Sequence, residues 1–189
     1  MKRILDYVLS IIVVFLFSPL IIFLLLIIFI QGENPIFFTT RVGKNSKNFM
    51  MPKIRTMKKN APLKATELFT KKELKKYLLF LGFFIRKTNL DELLQFISVL
   101  KGDMSIVGPR PLFPSQKKLI KLRKQKKIDK ILPGITGMAQ VNDNSKKLKN
   151  KIFFDNQYFK NQSLVLDLKI LVKTVFLIFK KLLGCGARI

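Results

Sequence analysis

Asp91 and Glu92 are adjacent carboxylates in a chain poor in acids: 11 Asp and Glu stand against 36 Lys and Arg among 189 residues. Carboxylates at such a position can act as nucleophile, as general base or as ligands for a hard divalent cation. The chain has no histidine and one cysteine, Cys185. That removes a histidine-based triad, a zinc site with histidine ligands and any internal disulfide. Acid–base chemistry is left to carboxylates, Lys or Tyr. Lysine outnumbers arginine 29 to 7, yet Arg41, Arg55, Arg86 and Arg110 all fall between residues 41 and 110. A planar guanidinium matches phosphate in a way that an ammonium does not.

The elements around the acids follow from spacing. Thr88 and Asn89 are N-cap types, each three residues before an acid, and predict a helix over 90–101 that Gly102 ends. Acids in a first turn offset the positive helix end by about 0.3–1 kcal/mol, which accounts for them without chemistry. If they do perform chemistry, successive helix positions diverge by about 100°, so their roles must differ. A helix start also offers free N–H groups to a phosphate. Gly108-Pro109-Arg110-Pro111 reads as a rigid turn that aims Arg110, and Pro133-Gly134-Ile135-Thr136-Gly137 as a second turn. Short strands and loops are expected over 34–60, and a polar loop or helix start over 61–72. Leu74, Tyr77, Leu78, Leu81 and Ile85 form a helical stripe that predicts one helix over 71–85. Phe80, Phe83 and Phe84 widen its face toward a membrane interface. Residues 117–130 read as a basic helix with eight Lys and Arg. Residues 167–183, with Lys169, Lys173, Lys180 and Lys181 among large apolar side chains, read as a helix lying on a membrane surface.

No charge falls between Asp6 and Glu33, and residues 7–30 give a 24-residue apolar stretch, roughly 36 Å of straight helix against a bilayer core of about 30 Å. The stretch is too long for a signal peptide, and no small-residue cleavage site follows it. Pro19, after Ser18, bends or breaks a helix. A kinked spanning helix and a re-entrant hairpin both fit, although only the hairpin keeps every basic flank on one side. Hydrophobic residues make up 49% of the chain, 18 of them Phe, at a net charge of +25. That combination suits an anionic membrane surface, where each Lys or Arg adds about 1 kcal/mol. Nucleic acid is the other polyanion such charge would fit, but the lysine run reads more simply as a solvated face beside headgroups.

Taken in order, the segments resemble the monotopic phosphoglycosyl transferases, the bacterial sugar transferase family, over nearly the whole chain. The resemblance is closest to small members with little beyond the catalytic domain. It rests on Lys2-Arg3-Ile4-Leu5-Asp6 with Ser10, on Ser18-Pro19, on Pro35-Ile36-Phe37-Phe38, on Arg41-Val42-Gly43 and on Lys53-Ile54-Arg55-Thr56-Met57. It continues through Arg86-Lys87-Thr88-Asn89-Leu90-Asp91-Glu92-Leu93 and Gly102-Asp103-Met104-Ser105-Ile106-Val107-Gly108-Pro109-Arg110-Pro111. It ends with Pro133-Gly134-Ile135-Thr136-Gly137-Met138-Ala139-Gln140-Val141-Asn142, then Asp155, Tyr158 and Ser163 ahead of Asp167-Leu168-Lys169-Ile170-Leu171.

The resemblance implies a mainly α fold with short β elements. A re-entrant membrane helix over 1–33 would break at Ser18-Pro19, and a small α/β catalytic domain with interfacial amphipathic helices would fill 34–189. It implies attack by Asp91 on the sugar-bearing phosphate of a UDP-sugar, with loss of UMP, then transfer of the phosphosugar from Asp91 to polyprenol (undecaprenyl) phosphate. Glu92 would bind metal or act as base, Asp91 and Glu92 would hold Mg²⁺, and Arg41, Lys53, Arg55, Arg86, Arg110 and Gln140 would hold substrate phosphate. The implied setting is the bacterial inner membrane with the domain on the cytoplasmic side. Later glycosyltransferases are possible partners, and nucleic acid is not expected. Departures are Ser46 for a common glycine, Thr39-Thr40 in a shortened stretch, Leu94 for a usual proline, and Asn142-Asp143-Asn144 where Asn-Gly-Arg is usual. Lys146 or Lys147 would then have to replace the arginine as a point charge. The competing function is a non-enzymatic basic membrane protein that binds anionic lipid or nucleic acid.

Overall fold

A computed structural model describes residues 1–62, 70–143 and 147–183; Asn144, Lys146 and Cys185 lie outside the described residues. The uncharged stretch forms one helix, α1 (Lys2–Ile30), long and apolar enough to cross a membrane. The helix continues through Pro19, so Ser18-Pro19 is not a helix end. Proline lacks the N–H that would reach the carbonyl four residues back, at Phe15. Ser18 Oγ donates to that carbonyl at 2.8 Å. The serine thus supplies the donor that its neighbour lacks.

Both ends of α1 dock on the same domain. At one end, Lys2 is ion-paired with Asp167, Arg3 donates to Met104 O at 2.8 Å, and Ser105 Oγ donates to Asp6 Oδ2 at 2.8 Å. At the other, Gln31 Oε1 accepts from Phe80 N at 2.9 Å and Glu33 Oε1 from Lys59 N at 3.0 Å. Between them, Ile11, Ile12, Phe15 and Leu16 are exposed. Ile21, Leu24 and Ile28 then enter a core cluster with Ile54, Leu79, Ile85 and Leu94. Leu94, where the resemblance expects proline, is thus part of the contact between α1 and the domain.

β1 (Ile36–Val42) and β2 (Asn48–Ile54) form an antiparallel hairpin that pairs Phe37 with Lys53. Asn45 and Ser46 in its turn have φ of 54° and 58°, which is why glycine is common at 46. The single helix expected over 71–85 is two: α2 (Lys71–Tyr77), boxed by Thr70 and Glu73, and α3 (Gly82–Lys87). The chain between them turns to the segment that follows β2: Lys58 N donates to Tyr77 O at 2.8 Å and Leu79 N to Thr56 O at 3.1 Å. A side chain at Gly82 would collide with the Thr56 carbonyl.

The helix expected over 90–101 is a 3₁₀ turn, Leu90–Glu92, followed by α4 (Gln95–Lys101). Neither expected cap forms. Thr88 Oγ1 turns back to the carbonyls of Phe84 and Ile85, and Asn89 is left-handed at φ 58°. Gly102 ends α4 as expected, at φ 92°. The expected turn at 133–137 is a strand: β3 (Ser105–Val107) runs parallel to β4 (Gly134–Thr136). The basic helix is shorter than expected, because α5 (Lys117–Gln125) gives way to left-handed Lys127 and a 3₁₀ turn, Ile128–Lys130. α6 (Met138–Asn142) and α7 (Leu148–Lys160) precede α8 (Leu164–Leu182), which Ser163 caps three residues before the expected start. A second core gathers Met51, Val99, Met104, Ile106, Val107, Tyr158 and Ile170 around β3.

Ser18→Ala is expected to strip the Phe15 carbonyl of its donor and destabilise the protein by about 1–3 kcal/mol. Ser18→Thr, which keeps a hydroxyl, is expected to retain most of that stability. Thermal unfolding in lipid nanodiscs reads both; equal melting of Ser18→Ala and the parent would show that the bond contributes nothing.

Candidate active site

Lys53 comes from β2 and the acids from the 3₁₀ turn beside it. Lys53 Nζ lies 2.8 Å from Glu92 Oε1 and 3.3 Å from Asp91 Oδ2, so one cation bridges both carboxylates. The two acids remain 15% and 20% exposed, enough to be reached by a ligand. Arg110, half exposed, places Nη2 3.7 Å from Glu92 Oε1. Arg41 is buried with its guanidinium over the Phe113 ring and Nη1 3.4 Å from Pro111 O. Arg41, Met51, Glu92, Gln95, Arg110, Pro111, Gly134 and Ile135 line one cleft.

Arg86, from α3, reaches the acids from another side. Its Nε donates to Thr56 Oγ1 at 2.8 Å, while Nη1 is buried with no partner among the described residues. A buried guanidinium N–H without an acceptor is costly and is ready to bind an anion. Burial lowers the pKa of Arg86, and the Asp91 charge partly restores it. Burial, with Arg110 nearby, brings that of Arg41 down to about 10.

The environments separate the two acids. Burial pushes the Asp91 carboxyl above the usual range, against the pull of Lys53. Burial acts the same way on Glu92, but Lys53 and Arg110 together outweigh it and hold Glu92 below the usual range. Neighbouring acids driven in opposite directions suit two roles rather than one shared one. Among the described residues no further Asp, Glu, Cys or His joins them in a metal-ligating cluster. Mg²⁺ commonly takes one or two carboxylates and completes its shell with substrate phosphate and water, so the donor set fits that ion with a phosphate ligand present.

Two expected site residues are held elsewhere. Arg55 Nε donates to Asn34 O at 2.6 Å and its guanidinium lies over Phe37. Gln140 Nε2 donates to Ile135 O at 3.2 Å, which places it behind the cleft wall. Three further residues belong to the site's frame. Lys181, from the end of α8, donates to Asn89 Oδ1 at 2.9 Å and to Arg86 O at 3.2 Å. Arg123 and Asp155 form a buried pair at 2.7 Å, and Arg123 Nη1 donates to Arg110 O at 2.8 Å. The signal for Arg123 is its standing as the only arginine in a run of lysines. For Lys181 there was none, since the amphipathic pattern accounts for it. Lys147 starts α7, while Asn144 and Lys146 lie outside the described residues.

The family model described as bacterial sugar transferase matches residues 1–181. The chain is similar to an uncharacterized sugar transferase of Bacillus subtilis, 38% identical over 177 residues that cover 93% of this chain and 85% of that protein. It is 35% identical over 185 residues to the UDP-glucose:undecaprenyl-phosphate glucose-1-phosphate transferase of Escherichia coli, covering 93% of this chain and 39% of that protein. It is 36% identical over 196 residues to the UDP-N-acetylgalactosamine-undecaprenyl-phosphate N-acetylgalactosaminephosphotransferase of Aeromonas hydrophila, covering 99% and 45%. The chain thus spans less than half the length of several curated relatives that it matches.

Asp155→Ala is expected to leave Arg123 buried and uncompensated, at a cost of about 3–5 kcal/mol. Chemical denaturation in detergent measures it; a loss below about 1 kcal/mol, the range of exposed pairs, would show that the pair is solvated rather than buried.

Proposed function

The chain belongs to the bacterial sugar transferase family, and from that premise we propose that it moves a phosphosugar from a UDP-sugar to polyprenol phosphate and releases UMP. One observation carries the reading: two carboxylates bridged by Lys53 sit among more cations than they can neutralise. Arg110 and Arg41 face Glu92, while Arg86 and Lys181 feel Asp91. The surplus positive charge suits a diphosphate, and the unpartnered Nη1 of Arg86 offers it a donor.

In the first step an Asp91 carboxylate oxygen attacks the phosphorus that bears the sugar. A P–O bond forms to Asp91, the bond to the bridging oxygen breaks, and UMP leaves with that electron pair. In the second, an oxygen of polyprenol phosphate attacks the same phosphorus and Asp91 departs as a carboxylate. The product is polyprenol-diphosphate sugar, a substrate for later glycosyltransferases. Lys53 favours the charged form of Asp91 against its burial and bridges it to Glu92. Glu92, held ionised, accepts a proton from the incoming phosphate or binds metal. Mg²⁺, held by Asp91 and Glu92, would offset phosphate charge. Splitting transfer through a covalent enzyme gives ping-pong kinetics.

The acceptor is a lipid, and the placement of α1 suits it. A helix that crossed the bilayer would carry its two ends to opposite faces. Here Lys2 and Arg3 at one end and Gln31 and Glu33 at the other bond a single domain. That supports a re-entrant segment over 1–33 in the inner membrane, with 34–189 on the cytoplasmic side.

The test is exchange of labelled UMP into UDP-sugar with no lipid acceptor present, over UDP-glucose, UDP-galactose and UDP-N-acetylgalactosamine. A covalent enzyme is expected to catalyse exchange with at least one donor, and Asp91→Asn to abolish it with membrane extraction unchanged. Full turnover in Asp91→Asn would remove Asp91 as nucleophile. UMP release only when acceptor is present would replace the two-step route by direct transfer.

A further inference from the structure

α8 presents two faces along its whole length. Asp167, Ile170, Thr174, Ile178 and Lys181 point inward at helical spacing. Asp167 meets Lys2 and Tyr158, Ile170 enters the core, Thr174 bonds Thr136, and Lys181 ends on the turn that carries the acids. Asp167 and Lys181 stand 14 positions apart, roughly 21 Å along the axis. The outward row is Val165, Leu168, Val172, Phe176, Phe179 and Leu183, each at least 59% exposed. An apolar row of that length on water would be a liability. α3, whose Arg86 carbonyl Lys181 bonds, also carries exposed Phe83 and Phe84. A lipid surface is the occupant that matches, given the apolar α1 docked on the same domain and the net charge of +25.

The contact at the end of α8 falls at a sensitive point. Asn89 is left-handed at φ 58° and immediately precedes the turn of Asp91 and Glu92. No side-chain cap fixes that turn, and Thr88 is committed to α3. Asn89 Oδ1 accepts from Lys181 at 2.9 Å. The same ammonium holds the carbonyl of Arg86, whose guanidinium faces Asp91. A strained residue preceding a reactive one is therefore held from a different helix, one whose opposite face is lipid.

We infer that Lys181 is a positioning residue, which clamps the turn between α3 and the acidic pair from the end of a lipid-seated helix, so that the seating of α8 sets the geometry of Asp91. The inference rests on the transferase reading for its kinetic consequence, though not for its structural one. Lys181 does not touch the reacting atoms. It acts through Asn89 and Arg86, so its loss lowers the rate of attack more than it weakens donor binding.

The experiment uses the full chain in vesicles of phosphatidylethanolamine and phosphatidylglycerol. Lys181→Met is expected to lower kcat for UMP release at least tenfold, with KM for the UDP-sugar changed less than threefold. Lys181→Arg is expected to restore most of the rate. Lys180→Met removes an equal charge from the same helix end and is expected to leave turnover unchanged. Asn89→Ala is expected to lower kcat in the same way, and the double variant with Lys181→Met to lose no more than the worse single. Additive losses, equal losses in Lys180→Met, or full rate in Lys181→Met would overturn the inference. Hydrogen exchange over residues 86–93 gives an answer without turnover: protection should fall in Lys181→Met at unchanged vesicle binding, and unchanged protection would also overturn it. Should the parent release no UMP from any donor, the transferase reading fails, while the exchange result still decides the clamp.

Discussion

Two carboxylates on consecutive residues repel each other, and burial makes each charge harder to keep. Lys53 relieves both at once, and much of the local structure serves to put that one ammonium in place. The hairpin register sets Lys53 opposite Phe37 and aims it at the acids. The acids sit in a single 3₁₀ turn rather than in the first turn of a longer helix. Successive side chains of such a turn diverge by about 120°, so it is the placement of Lys53 between them, at 3.3 Å and 2.8 Å, that lets one ammonium serve both. The balance is unequal. Arg110 adds a second cation on the Glu92 side, so Glu92 is held ionised while Asp91 is pushed up by its own burial. The more readily protonated carboxylate is also the better nucleophile when charged, which is the assignment the family resemblance implied for Asp91.

The frame around the pair is tied at separated points. The Lys2–Asp167 pair joins the start of α1 to the start of α8, and Lys181 joins the end of α8 to Asn89, just before the turn of Asp91 and Glu92. Between them lies the core around β3. The carbonyl of Arg110 is fixed by Arg123, which is held by Asp155. A buried ion pair of this kind contributes little net stability. Its effect here is placement, because it anchors the backbone of Arg110, whose guanidinium lies 3.7 Å from Glu92.

The grouping of charged residues was legible in the sequence and the local geometry was not. Asp91, Glu92, Lys53, Arg86, Arg110 and Arg41 come together as the motif order implied. Their types are demanded by charge, which sequence displays directly. Helix boundaries failed where distant backbone competed. The stripe over 71–85 is a sound helical pattern, yet Tyr77 O and Leu79 N bond Lys58 and Thr56, in the segment after β2. Thr88 and Asn89 are ordinary cap types, but Thr88 bonds backward and Asn89 turns left-handed. Parallel β3 and β4 are short strands paired across more than twenty residues, and Gly108 and Gly134 pack so closely that side chains would not fit. From sequence those glycines signalled turns. Arg55 and Gln140 carried the right types in the right motifs, but their nearest acceptors are backbone carbonyls at Asn34 and Ile135.

The missing arginine at position 144 can be weighed against what surrounds the pair. Its absence removes a fork, not the positive field. Arg86 keeps a buried nitrogen with no partner among the described residues and Arg110 keeps a half-exposed guanidinium, so two planar forks remain near the acids. Lys53 is spent on the carboxylates, and Lys181 on Asn89 and Arg86. Under the proposed transfer, the departure leaves in place the acid that would attack and the cation that bridges the pair. Discrimination among donors that differ far from the reacting phosphorus is the property most exposed to such a change, because it depends on distributed contacts rather than on the bridged acids themselves.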